Sequence, residues 1–391
     1  MKKAKAKKAD IALIIAFCAA LGALFLLLIV LPKHAGELSQ LEFRSLANYP
    51  FRGKSAQTIV GEFAKGEAAK NVDSFLEDHF PGRSFFIALN SYSTRLSGRN
   101  ADQGVVKGRG GRLFDAPIEM DLAQTDKNIA KIDEFAEANG LDSYIVIVPS
   151  AAVECVNTLP ALHLDYHDDE LIAHVKETSA SKVIDLLQVY SFEKDKESLF
   201  YRTDHHWTMA GAYLCYVKLC EQMGLTPVPR EYFAVEKYEF YGSFYREAGL
   251  WLTKPDTLEV WRNGFLDGAS VTIGCGDTAV DHTGVYDDEK LQPDQVDKYA
   301  AYLYSNNAVT IIDNPGGNGE TLMIVKDSYG NAIAPLFAVN FSKVIMIDTR
   351  YYRDPKLPTP SELAAEYGAA KLLVVFGSDT MVSDPQIALL R

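Results

Sequence analysis

From Asp126 to the C-terminus, short unbroken apolar runs alternate with helix-spaced patterns, and this alternation confines the chain to a layered α/β architecture. Ser143-Tyr144-Ile145-Val146-Ile147-Val148 reads as a strand buried on both faces, because no polar residue alternates with the apolar ones. Val309 to Ile312, Thr321 to Val325, Lys343 to Asp348 and Lys371 to Phe376 read the same way, and Lys182 to Leu186 as a shorter strand. Between them, helices are predicted from Asp126 to Asn139 with Thr125 as cap, from Asp169 to Thr178, and from Met209 to Met223 between a Thr208 cap and Gly224. A further helix starts near Asn331 and runs past Leu336. The expected fold is therefore a three-layer α/β/α sandwich around a mostly parallel sheet.

The N-terminus is of another kind. Lys2, Lys3, Lys5, Lys7 and Lys8 precede an uncharged, largely apolar run from Ile11 to Leu31. About 20 such residues at ~1.5 Å each cross a hydrocarbon core of ~30 Å. A cleaved signal has an apolar region of only about 7 to 15 residues and a small-residue cleavage site, and this run ends in Leu31-Pro32-Lys33. An uncleaved transmembrane helix is expected, with the lysines in the cytoplasm and the remainder outside. The basic tail supplies +4 of the overall −13, leaving −17 on the exported part, which argues against a nucleic-acid partner. Cys18 falls in the span, and Cys155, Cys215, Cys220 and Cys275 show no CxxC or zinc spacing, so free buried thiols are expected. The reading divides the chain into a basic tail (1–10), the span (11–31), a stalk and N-terminal extension (32–125) and a catalytic domain (126–391), with an aromatic- and Gly-rich insertion at about 226–306. Within the extension, helices are expected around Phe63 to Leu76 and Phe85 to Leu96, and Gly104 to Phe114 reads as a β-hairpin rather than a phosphate cradle.

Two segments carry chemistry. Thr203-Asp204-His205-His206-Trp207-Thr208 supplies a carboxylate and an imidazole, and Val325-Lys326-Asp327-Ser328-Tyr329-Gly330 supplies a serine. A serine hydroxyl is a weak nucleophile until an imidazole takes its proton and a carboxylate fixes the imidazole's tautomer. Ser328 falls on a strand-to-helix turn, where parallel sheets place their ligands and where helix N–H groups are unpaired. If residues 203–207 are extended, Asp204 and His206 share one face about 7 Å apart and His205 faces away. The competing readings are a helix cap for Ser328 and, for the Asp-His-His string, a polar turn or a metal site. No resident metal or cofactor is expected.

These residues carry a resemblance. The Asp204-His205-His206-Trp207 string, Lys326 to Asn331 followed by Pro335-Leu336-Phe337, and Asp348-Thr349-Arg350-Tyr351-Tyr352 resemble the bacterial DHHW protein family. That family is related to the alginate O-acetyltransferases with SGNH-hydrolase-like domains. Glu42 to Pro50, Asp78 to Arg83, Gly104 to Phe114 and Gly242 to Thr257 share the likeness. It implies an SGNH-hydrolase-like fold with the nucleophile block after the Asp-His block, Ser328 as nucleophile, His206 as base and Asp204 as its orienter. The usual Gly-Asp-Ser is Lys326-Asp327-Ser328 here, and Gly330 and Asn331 are oxyanion-donor candidates by proximity. Arg350, Asn331 and Tyr329 are candidate substrate-binding residues. The function expected is a membrane-anchored, extracytoplasmic O-acetyltransferase acting on a polysaccharide, supplied with acetyl groups by a multispanning membrane acyltransferase. The alternatives are an acetyl esterase with the same residues and a catalytically silent glycan-binding envelope protein.

Overall fold

A computed structural model describes residues 2–39, 45–99, 101–102 and 104–391. The Glu42-Phe43-Arg44 part of the expected stalk motif lies outside the described residues. The chain divides into two compact units, Met1–Ser97 and Gly98–Arg391.

In the first unit a helix spans Lys2–Val30, and its Lys8–Val30 portion is long and apolar enough to cross a membrane, a property that an anchor and a signal sequence share. Two amphipathic helices follow, Ala56–Lys65 and Glu67–Asp78, where the sequence suggested one stretch; Gly66 interrupts it. Ser55 caps the first through a hydrogen bond from the Thr58 N–H. A helix over Arg83–Leu96 matches the expectation.

The second unit is built on an eight-stranded sheet. Its strands are β1 (Asp142–Val148), β2 (Lys182–Ile184), β3 (Ser270–Ile273), β4 (Val280–Thr283), β5 (Val309–Asp313), β6 (Thr321–Lys326), β7 (Lys343–Ile347) and β8 (Ala369–Gly377), in the order β2-β1-β8-β6-β7-β5-β3-β4. The five from β2 to β7 run parallel, and β5, β3 and β4 continue the edge antiparallel. The insertion therefore lengthens the main sheet through β3 and β4, and it adds a separate two-stranded ribbon of Ala234–Phe240 and Asp256–Arg262.

The continuous apolar runs are explained by burial on both faces. Val146, Ile324, Met346 and Val375 belong to one core, and their chain neighbours Ile145, Met323, Ile345 and Val374 to the other. The first face is covered by the helices Leu186–Tyr190, Met209–Met223 and Gly330–Ala338. Leu122–Ala138, Asp168–Thr178, Pro360–Glu366 and Ser378–Ser383 cover the second. The fold is thus an α/β/α sandwich with a mostly parallel sheet.

Two helix boundaries differ from expectation for local reasons. The first helix begins at Leu122 because Asp121 accepts from the Gln124 N–H and caps it, leaving Thr125 inside, its hydroxyl donating to Asp121 O. Leu186 opens a helix capped by Asp185 instead of closing a strand. Thr208 does cap its helix, accepting from Gly211 N–H, and Gly224 ends it. The hairpin pairs Val105–Lys107 with Leu113–Asp115.

Candidate active site

Ser328 follows β6 by two residues and precedes the helix Gly330–Ala338, at the carboxyl edge of the parallel strands. The turn is held by Asp327, whose buried carboxylate accepts from the N–H groups of Tyr329 (3.0 Å) and Gly377 (2.7 Å) and from the Thr380 hydroxyl (2.7 Å). Asp327 is thus a brace that ties the Ser328 turn to the end of β8.

Residues 203–207 are not extended, the condition on which the same-face expectation rested; they form a succession of bends closed by a bridge between Phe200 and Trp207. Asp204 Oδ1 accepts from the His206 main-chain N–H (3.0 Å), an Asx turn that folds the imidazole back against its own carboxylate. The same oxygen lies 2.5 Å from His206 Nδ1, and His206 Nε2 lies 2.7 Å from Ser328 Oγ. Hydroxyl, imidazole and carboxylate thus form one hydrogen-bonded chain, the imidazole and the hydroxyl lying 122 residues apart in sequence. His205 also departs from expectation. Its ring sits 3.9 Å from that of His206, and its Nδ1 meets Ser243 Oγ at 3.0 Å.

Other residues hold this loop. Asp204 Oδ2 accepts from Ser243 N–H (2.7 Å), and Asp256 Oδ2 accepts from the N–H groups of Arg202 and Thr203 and from the Thr203 hydroxyl. Gly242 packs so close that a Cβ there would fall 2.2 Å from Asp204 Cβ and 2.4 Å from Thr203 O. The Tyr299 ring stacks on His206 at 3.8 Å and 14°, while its hydroxyl donates to Ser328 O.

Burial alone would raise the Asp204 carboxyl, but the neighbouring His206 and His205 charges, with hydrogen bonds from His206 and Ser243, outweigh it and hold it well below the ordinary carboxylate range. Asp204 is therefore an anion at neutral pH. Burial, reinforced by the His206 charge, pushes His205 down. Asp204, His205 and His206 offer metal-ligand atoms within 4.8 Å of one another, the set a cation would use. In this arrangement those atoms are turned onto each other and onto Ser328 and Ser243.

Lys326 replaces a glycine without obstructing the turn. Its side chain runs into the interior, where Nζ reaches Asp348 Oδ2 (3.3 Å) and Asn306 Oδ1 (3.0 Å). Gly330 makes room for it, since a Cβ there would lie 2.5 Å from Lys326 Cβ. The main-chain N–H groups of Gly330 and Asn331 are engaged by Asp327 O and Ser328 O, so neither is the free donor that proximity suggested. The Ser328 N–H makes no hydrogen bond among the described residues.

Ser328 opens on a cavity of about 620 Å³. Tyr329 and Arg350 line it; Tyr329 is buried with its hydroxyl donating to His205 O, and Arg350 grips Asp348 through Nε (2.9 Å) and Nη2 (2.7 Å). Asn331 is not on its wall; it is buried, and its Nδ2 donates to Asn306 Oδ1. Sequence reasoning did not single out Asp115, Ser150, Asp168 and Glu247, which also line the cavity. All five cysteines are free.

The sandwich, with a serine at its strand-to-helix edge and the Asp-His loop preceding it in the chain, defines an SGNH-hydrolase-like α/β protein. Residues 178–347 match the family model described as DHHW protein, and residues 111–241 match the SGNH hydrolase-like domain, acetyltransferase AlgX. The resemblance to the DHHW family and to the alginate acetyltransferase domains therefore holds. Among solved structures, a DHHW family protein from Eubacterium siraeum DSM 15702 is 20% identical with a TM-score of 0.61, over 74% of this chain and 95% of that one. Bacillus cereus PatB1 with a sulfonyl adduct is 17% identical with a TM-score of 0.61, over 73% and 97%. At these identities the likeness is one of fold. No curated protein sequence matches the chain.

Proposed function

We propose that this protein is a membrane-anchored O-acetyltransferase that esterifies a polysaccharide outside the cytoplasm through an acyl-serine intermediate. The observation that carries the reading is the chain Asp204 Oδ1, His206 Nδ1, His206 Nε2, Ser328 Oγ, with separations of 2.5 and 2.7 Å. The match of residues 111–241 to an acetyltransferase domain supports the acyl chemistry, and the apolar Lys8–Val30 helix supports the anchor.

In this reading His206 takes the Ser328 proton as Oγ attacks the acetyl carbonyl carbon. The Ser328 N–H donates to the developing oxyanion, and the donor's leaving oxygen departs with the proton from His206. A sugar hydroxyl then loses its proton to His206 and attacks the acyl carbon, and Ser328 Oγ leaves with that proton restored. Asp204, anionic throughout, fixes the tautomer and balances the imidazolium. Acetyl-CoA is cytoplasmic, so the donor outside is an acetyl group passed across the membrane by a multispanning acyltransferase partner.

The test is acetyl release from a chromogenic acetyl ester by the purified protein and by Ser328→Ala. Turnover by the former and at least a ~10³-fold loss in the latter is expected; equal rates would remove the acyl-serine. Addition of oligosaccharide acceptors to the same assay separates a transferase, which yields acetylated sugar, from an esterase, which yields acetate alone.

A further inference from the structure

The cavity beside Ser328 carries charge that the acyl chemistry does not use. Its wall holds Asp115, Glu119, Asp168, Glu247, Asp327 and Asp379 against a single guanidinium, Arg350. Asp327 is committed to the nucleophile turn, and Arg350 is committed to Asp348.

Asp115 and Asp168 stand apart from those pairings. Ser150 bridges them, its hydroxyl donating to Asp115 Oδ1 (2.7 Å) and its N–H to Asp168 Oδ1 (2.7 Å). Ser378 Oγ donates to the same Asp168 oxygen at 2.6 Å. Asp168 is fully buried, it lines the cavity, and its Oδ2 has no partner. A buried carboxylate oxygen without a donor is costly, so a group that arrives with hydrogens to give and positive charge is strongly favoured there. Burial and the nearby Asp168 charge outweigh the Ser150 hydrogen bond and push the Asp115 carboxyl up to about 6, the behaviour of a pair that lacks a counter-ion.

The geometry favours an organic cation over a metal. Calcium takes six or more oxygen ligands, and magnesium needs near-octahedral geometry. Among the described residues only Asp204, His205 and His206 gather three metal-ligand side chains within 4.8 Å of one another. An ammonium has three donor hydrogens, and two carboxylates and a hydroxyl are enough to receive them.

We propose that the cavity beside Ser328 takes a substrate bearing a primary ammonium group, seated between Asp115 and Asp168 with Asp168 Oδ2 as acceptor. This rests on the acyl-transfer reading above. The ammonium belongs either to an amino-sugar acceptor or to an aminoacyl group carried on the serine, and anionic uronate polymers are repelled by the same wall.

The test uses the full chain in detergent and two arms. One arm follows acetyl transfer from 4-nitrophenyl acetate to a glucosamine tetramer, an N-acetylglucosamine tetramer or a galacturonate tetramer. The other compares hydrolysis of the 4-nitrophenyl esters of alanine and of propionate. A kcat/KM at least tenfold higher for the ammonium-bearing member in one arm, falling to parity in Asp168→Asn and in Asp115→Asn, supports the proposal and identifies which partner bears the charge. Ser328-dependent turnover without such a preference in either arm overturns it and leaves the acyl chemistry standing. Calorimetric binding of the glucosamine tetramer and of alanine methyl ester to Ser328→Ala, against their neutral counterparts, reads the cavity even if no turnover is found. Equal binding within each pair there overturns the proposal independently. Calcium or magnesium binding that is lost in Asp168→Asn would overturn it in favour of a metal site.

Discussion

Replacing Gly242 by alanine tests whether the Asp204 loop is held by packing as tightly as its hydrogen bonds suggest. The added Cβ would lie 2.2 Å from Asp204 Cβ, 2.4 Å from Thr203 O and 2.6 Å from Asp204 Oδ2, whereas ordinary contact begins at 3.4 Å. Two of those atoms belong to the carboxylate residue itself, so the loop must yield. Relief requires a displacement of about 1 Å, the scale at which misplacing a catalytic group costs about 10²-fold. If Asp204 loses its hold on His206 altogether, the loss approaches the ~10⁴-fold seen when a triad imidazole takes the wrong tautomer. The expected fall in kcat/KM on the chromogenic ester is therefore about 10² to 10⁴, or roughly 3 to 5 kcal/mol at ~1.36 kcal/mol per decade. Overpacking should also lower stability by about 1 to 3 kcal/mol in a denaturant titration. Gly264→Ala is the control, because its Cβ would meet only Asp267 Oδ2, at 3.7 Å. Full activity and unchanged stability in Gly242→Ala would refute the argument that this glycine sets the position of Asp204.

Other outcomes follow from the buried charges and the N-terminal helix. The Asp115 carboxyl, raised from 3.8 to about 6 in the fold, contributes stability that is intact below pH 3.8 and lost as pH rises through 6. Asp115→Asn should therefore raise the melting temperature at pH 7.5 but not at pH 3.5. The full shift corresponds to about 3 kcal/mol, reduced to ~1–2 because the residue is part-exposed; an equal change at both pH values would sink the idea. Asp348→Ala strands the buried Lys326 and frees Arg350, and should cost about 3 to 5 kcal/mol by thermal or chemical denaturation. Full-length protein should sediment with membranes, and a version beginning at residue 33 should stay in the supernatant; co-sedimentation of both would place the attachment elsewhere.

The sheet was readable because strands buried on both faces leave unbroken apolar runs, and β1, β6, β7 and β8 each do. The Thr208 cap and the Gly224 stop were readable because capping is local. The shape of residues 203–207 was not, since apolar periodicity says nothing about a bend made by a side chain accepting from its own backbone. For the same reason His205 was assigned to the opposite side from His206. Asp115 and Asp168 passed unnoticed because they mark the end of a hairpin strand and the start of a helix, where acidic residues are commonplace. Only the folded chain carries them to one wall. Lys326 stands where the usual pattern has glycine, and the deep Asp348 and Asn306 partners that accommodate it lie far from it in sequence.

The segment between the two motifs bears on how portable the chemistry is. Tyr299 touches His206 with its ring and the Ser328 carbonyl with its hydroxyl, and Asn306 accepts from Lys326 and Asn331 on either side of the serine. His206 and Ser328 are thus clamped by a stretch of chain that supplies neither. Transplanting the Asp-His and Ser segments onto another parallel sheet would carry over the three side chains without the clamp that keeps them in register. On the proposed reading, homologues with a rebuilt insertion would be expected to differ in rate even where Asp204, His206 and Ser328 are all retained.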